Sequence, residues 1–312
     1  QSSSATAIWP AESVVRDMAS TKEIKDRINS VRETRKITNA MYLIASTKLR
    51  KAKLELTNTR PYFEALRGEV NRVFRTVEDV DTPYFYPADD DTPREGTYGC
   101  LVITADKGLA GAYNQNVLKY AMQMLADFPG SKLFVVGEYG RQFFLQHQIP
   151  IEQSFLYTAQ NPTLHRAREI CTELLSPFDA GELDKIYIVY TDLGGGQTEE
   201  VKMTRLLPFH RSDFASNEKA DEKFEYEPSV AEVLDHIIPS YVSGFIYSAL
   251  VDSYCSEQSA RMAAMDAANR NAEEILSALS REYHRVRQAM ITQEITEVTS
   301  GARAMKKKGL QK

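Results

Sequence analysis

Proline and glycine are missing from Ala11 to Arg60, and beyond Pro239 there is no further proline and only Gly244, Gly301 and Gly309. With the strongest helix breakers gone from both ends, turn-rich structure is excluded there and long helices are expected. Cysteine is equally scarce. Cys100, Cys171 and Cys255 are odd in number, far apart and form no C-x-x-C. That excludes a disulfide framework and points to buried or inert thiols in a reducing compartment. No run of about 18 apolar residues occurs, so no transmembrane helix is expected. The P-loop pattern is absent, and His147, His165, His210, His236 and His284 show no H-x-x-x-H spacing. Metal binding is therefore not expected, and no Ser/His/Asp grouping stands out as a catalytic site. The net charge of −5 gives the chain no bias toward nucleic acid.

What is present is helical periodicity. From Ile24 the apolar residues Ile28, Val31, Ile37, Met41, Ile44 and Leu49 recur mostly at steps of three and four, which predicts one buried helix face. Ser20 and Glu23 stand at capping-box spacing just before this stripe. Pro61 reads as a kink or a fresh first turn, because Tyr62 to Val77 is again helix-like. Residues 1–17 carry neither a charged n-region nor an apolar h-region, and read as a mobile extension ahead of Met18. A second stripe after Pro228 holds Ile246, Leu250, Leu276, Leu279, Tyr283, Val286, Met290, Ile295 and Val298. From Leu276 to Met290 its steps alternate three and four, which is heptad spacing. One helix from Pro239 to Ala304 would be 66 residues, roughly 100 Å at ~1.5 Å per residue.

Between the helical ends, strand signals at Tyr98–Ala105, Lys132–Val136, Ser154–Thr158, Ile186–Thr191 and Val201–Leu207 alternate with helices at Asn116–Asp127, Tyr139–His147 and Pro162–Leu175. That order predicts a mostly parallel sheet covered on both faces. The acidic stretch 81–97, with Pro83, Pro87 and Pro93, and the polar, acidic stretch 211–227 read as linkers. The expected architecture is therefore a long antiparallel coiled coil of N- and C-terminal helices (18–80 and 228–305) with an inserted Rossmann-like α/β domain (98–210), followed by a basic tail (306–312).

Sites of chemistry are few. Gly108-x-x-Gly111 follows a strand and precedes a helix, so it reads either as a phosphate cradle or as a tight strand–helix turn. Gly194-Gly195-Gly196 reads as a ligand loop or as the tip of a hairpin. Charge is more informative. Thr21 to Arg60 holds eleven basic and four acidic residues, +7 on one arm of a chain of net −5. This is either a solvated face, a match for an acidic partner surface, or a phosphate-backbone contact without a recognition module. The C-terminal stretch Ala289–Ala304 sets Ile291, Ile295 and Val298 among Gln293, Glu294, Thr296, Glu297 and Thr299. That narrow apolar stripe suits turning inside a sleeve, or a frayed terminus.

Four ordered motifs then carry a resemblance. Lys22-Glu23-Ile24 through Lys48-Leu49-Arg50-Lys51-Ala52, the turn TADKGLAGAYN at Thr104–Asn114, SEQSARMAAMDA at Ser256–Ala267, and AMITQEITEV at Ala289–Val298 resemble the γ subunit of F-type ATP synthase in its bacterial form, over about Met18–Met305. The resemblance implies a central rotor shaft of a proton-translocating ATP synthase. Its coiled coil would stand in a hexamer of α and β subunits, with its α/β domain as a foot bound to ε and to the membrane c-ring. Rotation of the c-ring would thereby be coupled to ATP synthesis and hydrolysis on β. The chain itself would be non-catalytic, peripheral to the cytoplasmic face of a bacterial plasma membrane. By the same resemblance Met41, Arg50 and Lys51 match shaft positions near an acidic β loop, and Arg261, Gln288, Thr292, Glu294 and Glu297 match coupling positions. The foot would present the Gly108 turn and Val201–Leu207. Two departures stand out. Ala110 replaces a cysteine frequent in the turn, which implies a structural role there. The cysteine pair of the plant plastid form has no counterpart between Ile186 and Arg211. Two other readings remain open: a nucleotide-binding enzyme of the NAD type with helical oligomerisation arms, and a coiled-coil scaffold.

Overall fold

The computed structural model describes residues 11–76, 82–86, 96–193, 200–210, 226–227 and 229–309. The elements in chain order are α1 Ala11–Thr76, β1 Tyr98–Ile103, α2 Tyr113–Asp127, β2 Lys132–Val136, α3 Glu138–Gln146, β3 Gln153–Phe155, α4 Leu164–Asp179, β4 Lys185–Asp192, β5 Glu200–Leu207 and α5 Val230–Gly309. They form two compact units, one of residues 1–42 with 265–312 and one of residues 43–264.

The first unit joins the two ends of the chain. Ile24, Ile28 and Leu279 are buried together, with Val31, Leu276, Tyr283 and Val286 half-buried around them. Arg35 pairs with Glu273 at 2.5 Å, and Thr38 Oγ1 donates to Asn269 Oδ1 at 2.5 Å. Three residues forward on α1 thus meet four residues back on α5, so the helices run antiparallel. The apolar seam is short, and a polar layer follows it. Ile37 is 62% exposed, contrary to the single buried face expected for α1. Arg35 and Thr38, on either side of it in the chain, meet Glu273 and Asn269, so this level of the pair is polar and Ile37 lies outside the apolar seam.

The second unit contains the sheet, with strand order β3-β2-β1-β4-β5. β1, β2, β3 and β4 are mutually parallel, and β5 is antiparallel to β4. Side chains alternate between faces with period two. Leu101, Ile103, Phe134, Val136, Ile186 and Ile188 pack with α4 and α5. Cys100, Val102, Leu133, Val135 and Val189 pack with Val117, Leu118 and Met124 of α2 and Phe144 of α3. Both faces being covered accounts for the near-continuous apolar run of β1, all six residues of which are buried. In the same unit α1 packs on α5 through Phe63. A Cβ placed on Gly244 would lie 2.1 Å from its ring, and Tyr247 stands 5.9 Å away. Only glycine allows this approach, and Pro61 stays inside the helix rather than ending it. Ile44, expected in the buried stripe, is 56% exposed, while Ala45 beside it is buried.

Several boundaries differ from expectation. α1 begins at Ala11, ahead of Met18, so Ser20 and Glu23 sit inside a helix and do not start one. α2 opens at Tyr113 rather than Asn116, and β3 covers Gln153–Phe155 rather than Ser154–Thr158. α4 starts at Leu164, capped by Thr163, whose side chain accepts the Arg166 N–H. Pro162 therefore precedes the cap instead of opening the helix. The Gly194–Gly196 tip, residues 1–10, most of 81–97 and 211–227, and the side chains of Lys306–Lys308 lie outside the described residues. Among the described residues no helix is long and apolar enough to cross a membrane.

Candidate coupling surface

The Thr104–Asn114 turn is held by its own side chains. Thr104 Oγ1 donates to the Val136 carbonyl at 2.8 Å and accepts from the Gly140 N–H at 3.0 Å. Asn114 Oδ1 accepts from the Ala105 N–H at 2.9 Å, and Asp106 Oδ1 accepts from the Glu138 N–H at 3.0 Å. Gly137 has φ 96°, and a Cβ there would fall 2.3 Å from the Thr104 carbonyl oxygen. The polar residues of this motif thus close a strand–helix turn against the neighbouring strand. Ala110 is 2% exposed and packs with Ala105, Tyr113 and Ala260, so the position that departs from the γ pattern is a packing position.

Arg261 reaches this turn from α5. Its guanidinium donates to the Gly108 carbonyl at 3.0 Å and lies 3.5 Å from that of Lys107. Glu257, one turn earlier on α5, accepts from Arg261 at 2.5 Å. Both side chains are nearly buried, at 11% and 8% exposure. Burial holds the Glu257 carboxyl above the ordinary carboxylate range, with Arg261 opposing the rise. The turn therefore offers carbonyl oxygens to a cation, the opposite polarity to the N–H groups that cradle phosphate. Arg261, which the resemblance matches to a coupling position, faces the α/β domain of its own chain.

The remaining sequence-derived positions are dispersed. Met41 is half-buried in the first unit. Arg50 and Lys51 are exposed neighbours on α1 in the second, and Lys51 Nζ lies 3.7 Å from Glu55. Gln288, Thr292, Glu294 and Glu297 are exposed on α5 in the first unit. Gln288, Thr292 and Glu297 line one shallow groove with Arg285 and Gln293. Thr292 Oγ1 donates to the Gln288 carbonyl at 2.9 Å, and Gln293 donates to Glu297 at 3.0 Å. Beside them Ile291, Ile295 and Val298 are 46%, 61% and 73% exposed, an apolar stripe on a polar helix. Basic α1 side chains are partly neutralised, Lys36 by Glu33 and Arg60 by Glu64, while Lys48, Arg50 and Lys53 are exposed.

Sequence reasoning overlooked Glu257, although its i, i+4 spacing to Arg261 is visible in the chain. It also overlooked Thr38 with Asn269, a contact between residues 231 positions apart that no local pattern announces. Among the described residues no group of three or more His, Cys, Asp or Glu side chains could hold a metal ion. Cys100, Cys171 and Cys255 are free and buried. Burial pushes each thiol up to about 12.

Residues 20–305 match the family model described as ATP synthase. The ATP synthase gamma chain of Acetivibrio thermocellus is 39% identical over 297 residues, covering 93% of this chain and 100% of the relative. That of Acetobacterium woodii, named as sodium ion specific, is 36% identical over 301 residues, covering 91% and 98%. Among solved structures, a chain of the Euglena gracilis mitochondrial ATP synthase OSCP/F1/c-ring assembly superposes with TM-score 0.65 at 16% identity, covering 92% of this chain and 95% of that one. A chain of the Tetrahymena thermophila central stalk and c-ring gives 0.58 at 24% identity, covering 74% and 99%. The two superpositions speak for the fold, and the curated relatives, matched over nearly their whole length, show that this chain belongs to the ATP synthase γ-chain family.

Proposed function

We propose that this chain is the central rotor shaft of a proton-translocating ATP synthase, coupling rotation of a membrane c-ring to ATP synthesis and hydrolysis in an α/β hexamer. The observation that carries the reading is the antiparallel clasp of the two chain ends, Arg35 to Glu273 and Thr38 to Asn269. A shaft needs paired helices, because one helix alone transmits little torque. The chain is non-catalytic in this reading, and ATP chemistry belongs to the β subunits. It is peripheral to the cytoplasmic face of a bacterial plasma membrane, with ε and the c-ring as partners of the α/β domain. Residues 18–80 and 228–305 serve as the arms, 98–210 as the foot, 81–97 and 211–227 as linkers, and 306–312 as a tail.

Coupling follows from differential contact. An asymmetric shaft shifts each β site between conformations only if it touches them differently in each orientation. Arg50 and Lys51, with Met41, supply contacts to acidic β surface, and Gln288, Thr292, Glu294 and Glu297 supply polar contacts to the sleeve. Arg261 serves coupling from inside, by fixing α5 to the Gly108 turn. The reading of an NAD-type enzyme is disfavoured by the carbonyl lining of that turn. The test is recovery of the chain from its native membranes. Copurification of α and β in threefold excess, with ATP-driven proton uptake lost when the chain is omitted from reconstitution, is the expected result. A self-associated chain without α and β would overturn it in favour of a scaffold.

A further inference from the structure

The carboxyl end of β4 meets α5 in a polar cluster that the coupling reading does not use. Thr191 donates its backbone N–H to Ser253 Oγ at 3.2 Å, in a fully buried contact. Asp192, the next residue of β4, lies within electrostatic reach of Asp252, the residue before Ser253 on α5. Strand alternation turns Tyr190 and Asp192 to one face. The Tyr190 ring meets Phe245 of α5 edge-on at 6.1 Å, so this is the face α5 covers. Asp192 is ion-paired with Lys202 of β5. Asp252 also faces Arg60 of α1, Ser248 one turn back on α5, Tyr190 of β4 and Cys255.

Two carboxyl groups thus converge at the loop end of the β4–β5 pair, and each nearby cation is already engaged. Lys202 is paired with Asp192 and faces Glu200, and Arg60 lies 3.1 Å from Glu64 and is 73% exposed. Neither is free to neutralise Asp252 in full. Like charges in a partly desolvated site disfavour joint ionisation. Burial first, and then Asp192, push the Asp252 carboxyl up to about 6, against the opposing pull of Arg60, Ser248 and Lys202.

We propose that Asp192 and Asp252 form a proton-operated latch between the loop end of the β4–β5 pair and α5, closed when Asp252 carries a proton and eased when both carboxyls are ionised. In the closed state Asp252 is a neutral neighbour of the Asp192–Lys202 pair, and the Thr191–Ser253 bond holds strand to helix. In the ionised state repulsion acts across that same bond. The latch is a property of the chain alone and does not rest on the rotor reading.

Hydrogen exchange read by mass spectrometry on the full chain tests it. After correction for intrinsic exchange, protection of peptides over β4 and β5 is expected to fall roughly tenfold between about pH 5 and about pH 8. Peptides over β2 and β3, strands that pair with neither β4 nor β5, should hold their protection and report that global stability is not the cause. Asp252→Asn should keep the acid-state protection at both pH values. Lys202→Met removes the cation that offsets Asp192 and should steepen the dependence. Flat protection in the unaltered chain overturns the proposal whether or not either variant folds, and so does an undiminished pH slope in Asp252→Asn. Neither outcome touches the shaft reading, because nothing in the measurement depends on rotation.

Discussion

Arg261 and Glu257 show what a single buried pair can do. Their value to stability is not the sum of an ion pair and two hydrogen bonds, because both ions lose water on burial. What the pair cannot tolerate is the loss of one member. Arg261→Ala would strand the Glu257 carboxylate and leave the Gly108 carbonyl without its donor, at a cost of about 3–5 kcal/mol. Replacing both by Leu and Met should cost markedly less, since no buried charge then remains. Urea unfolding of the two variants distinguishes these cases, and a double variant as unstable as Arg261→Ala would refute the account. Asp252 gives a pH dependence of known sign. Its folded carboxyl titrates at about 6 against an ordinary 3.8. The unfolded chain therefore releases this proton first as pH rises. Stability from this group is fully present below 3.8 and is lost as pH climbs through about 6, a loss of at most about 3 kcal/mol. Comparing urea midpoints with those of Asp252→Asn isolates the contribution, which should vanish in the variant.

At the scale of elements, the sheet was far more legible than the helices. β2 matches its expected span of Lys132–Val136, and β1, β4 and β5 match theirs within two residues. A strand buried on both faces must be apolar along its whole length and must stop at polar or turn residues, so local sequence marks it. The helix pairing was legible in kind but not in detail. The heptad steps at Leu276, Leu279, Tyr283 and Val286 identify the seam against Ile24 and Ile28. Ile37 and Ile44 continue the period yet point to solvent, because periodicity fixes which residues share a face and not how far a partner covers it. Arg261 has partners within its own chain that only the fold brings to it. Its i, i+4 acid sits in the sequence, whereas the carbonyls it binds are 153 and 154 residues away. The helical elements carry their own prediction. Ala40 is exposed on α1, so Ala40→Pro removes no packing. It deletes one helix hydrogen bond and clashes with the Lys36 carbonyl, at roughly 3 kcal/mol. If paired helices transmit torque, such membranes should hydrolyse ATP while ATP-driven proton uptake falls. Full proton-driven synthesis in this variant would sink the mechanical reading.

The whole molecule has one property that no residue or element holds by itself, which is the separation of charge between an acidic chain and a basic arm. The chain carries −5 overall, yet Thr21–Arg60 carries eleven bases and four acids. Part of that excess is answered within the chain, by Glu273 on Arg35 and by Glu33, Glu55 and Glu64 on Lys36, Lys51 and Arg60. Arg50 remains exposed, and the side chain of Lys51 is 74% exposed despite its neighbour at 3.7 Å. Exposed charge of this kind adds little to folding, because solvent screens it and local pairs offset it. Its effect belongs to association, where complementary fields steer encounter and reject mismatched partners. Arg50→Glu combined with Lys51→Glu should therefore leave urea stability within about 0.5 kcal/mol of the unaltered chain. Assembly with α and β should slow and lose most of its dependence on salt, since the field that salt screens has been removed. Reconstitution at low and high ionic strength, followed by the rate at which the chain enters the α/β complex, reads both effects. Equal rates for the two chains at low salt would show that this part of the arm is merely solvated, and would withdraw Arg50 and Lys51 from the coupling surface.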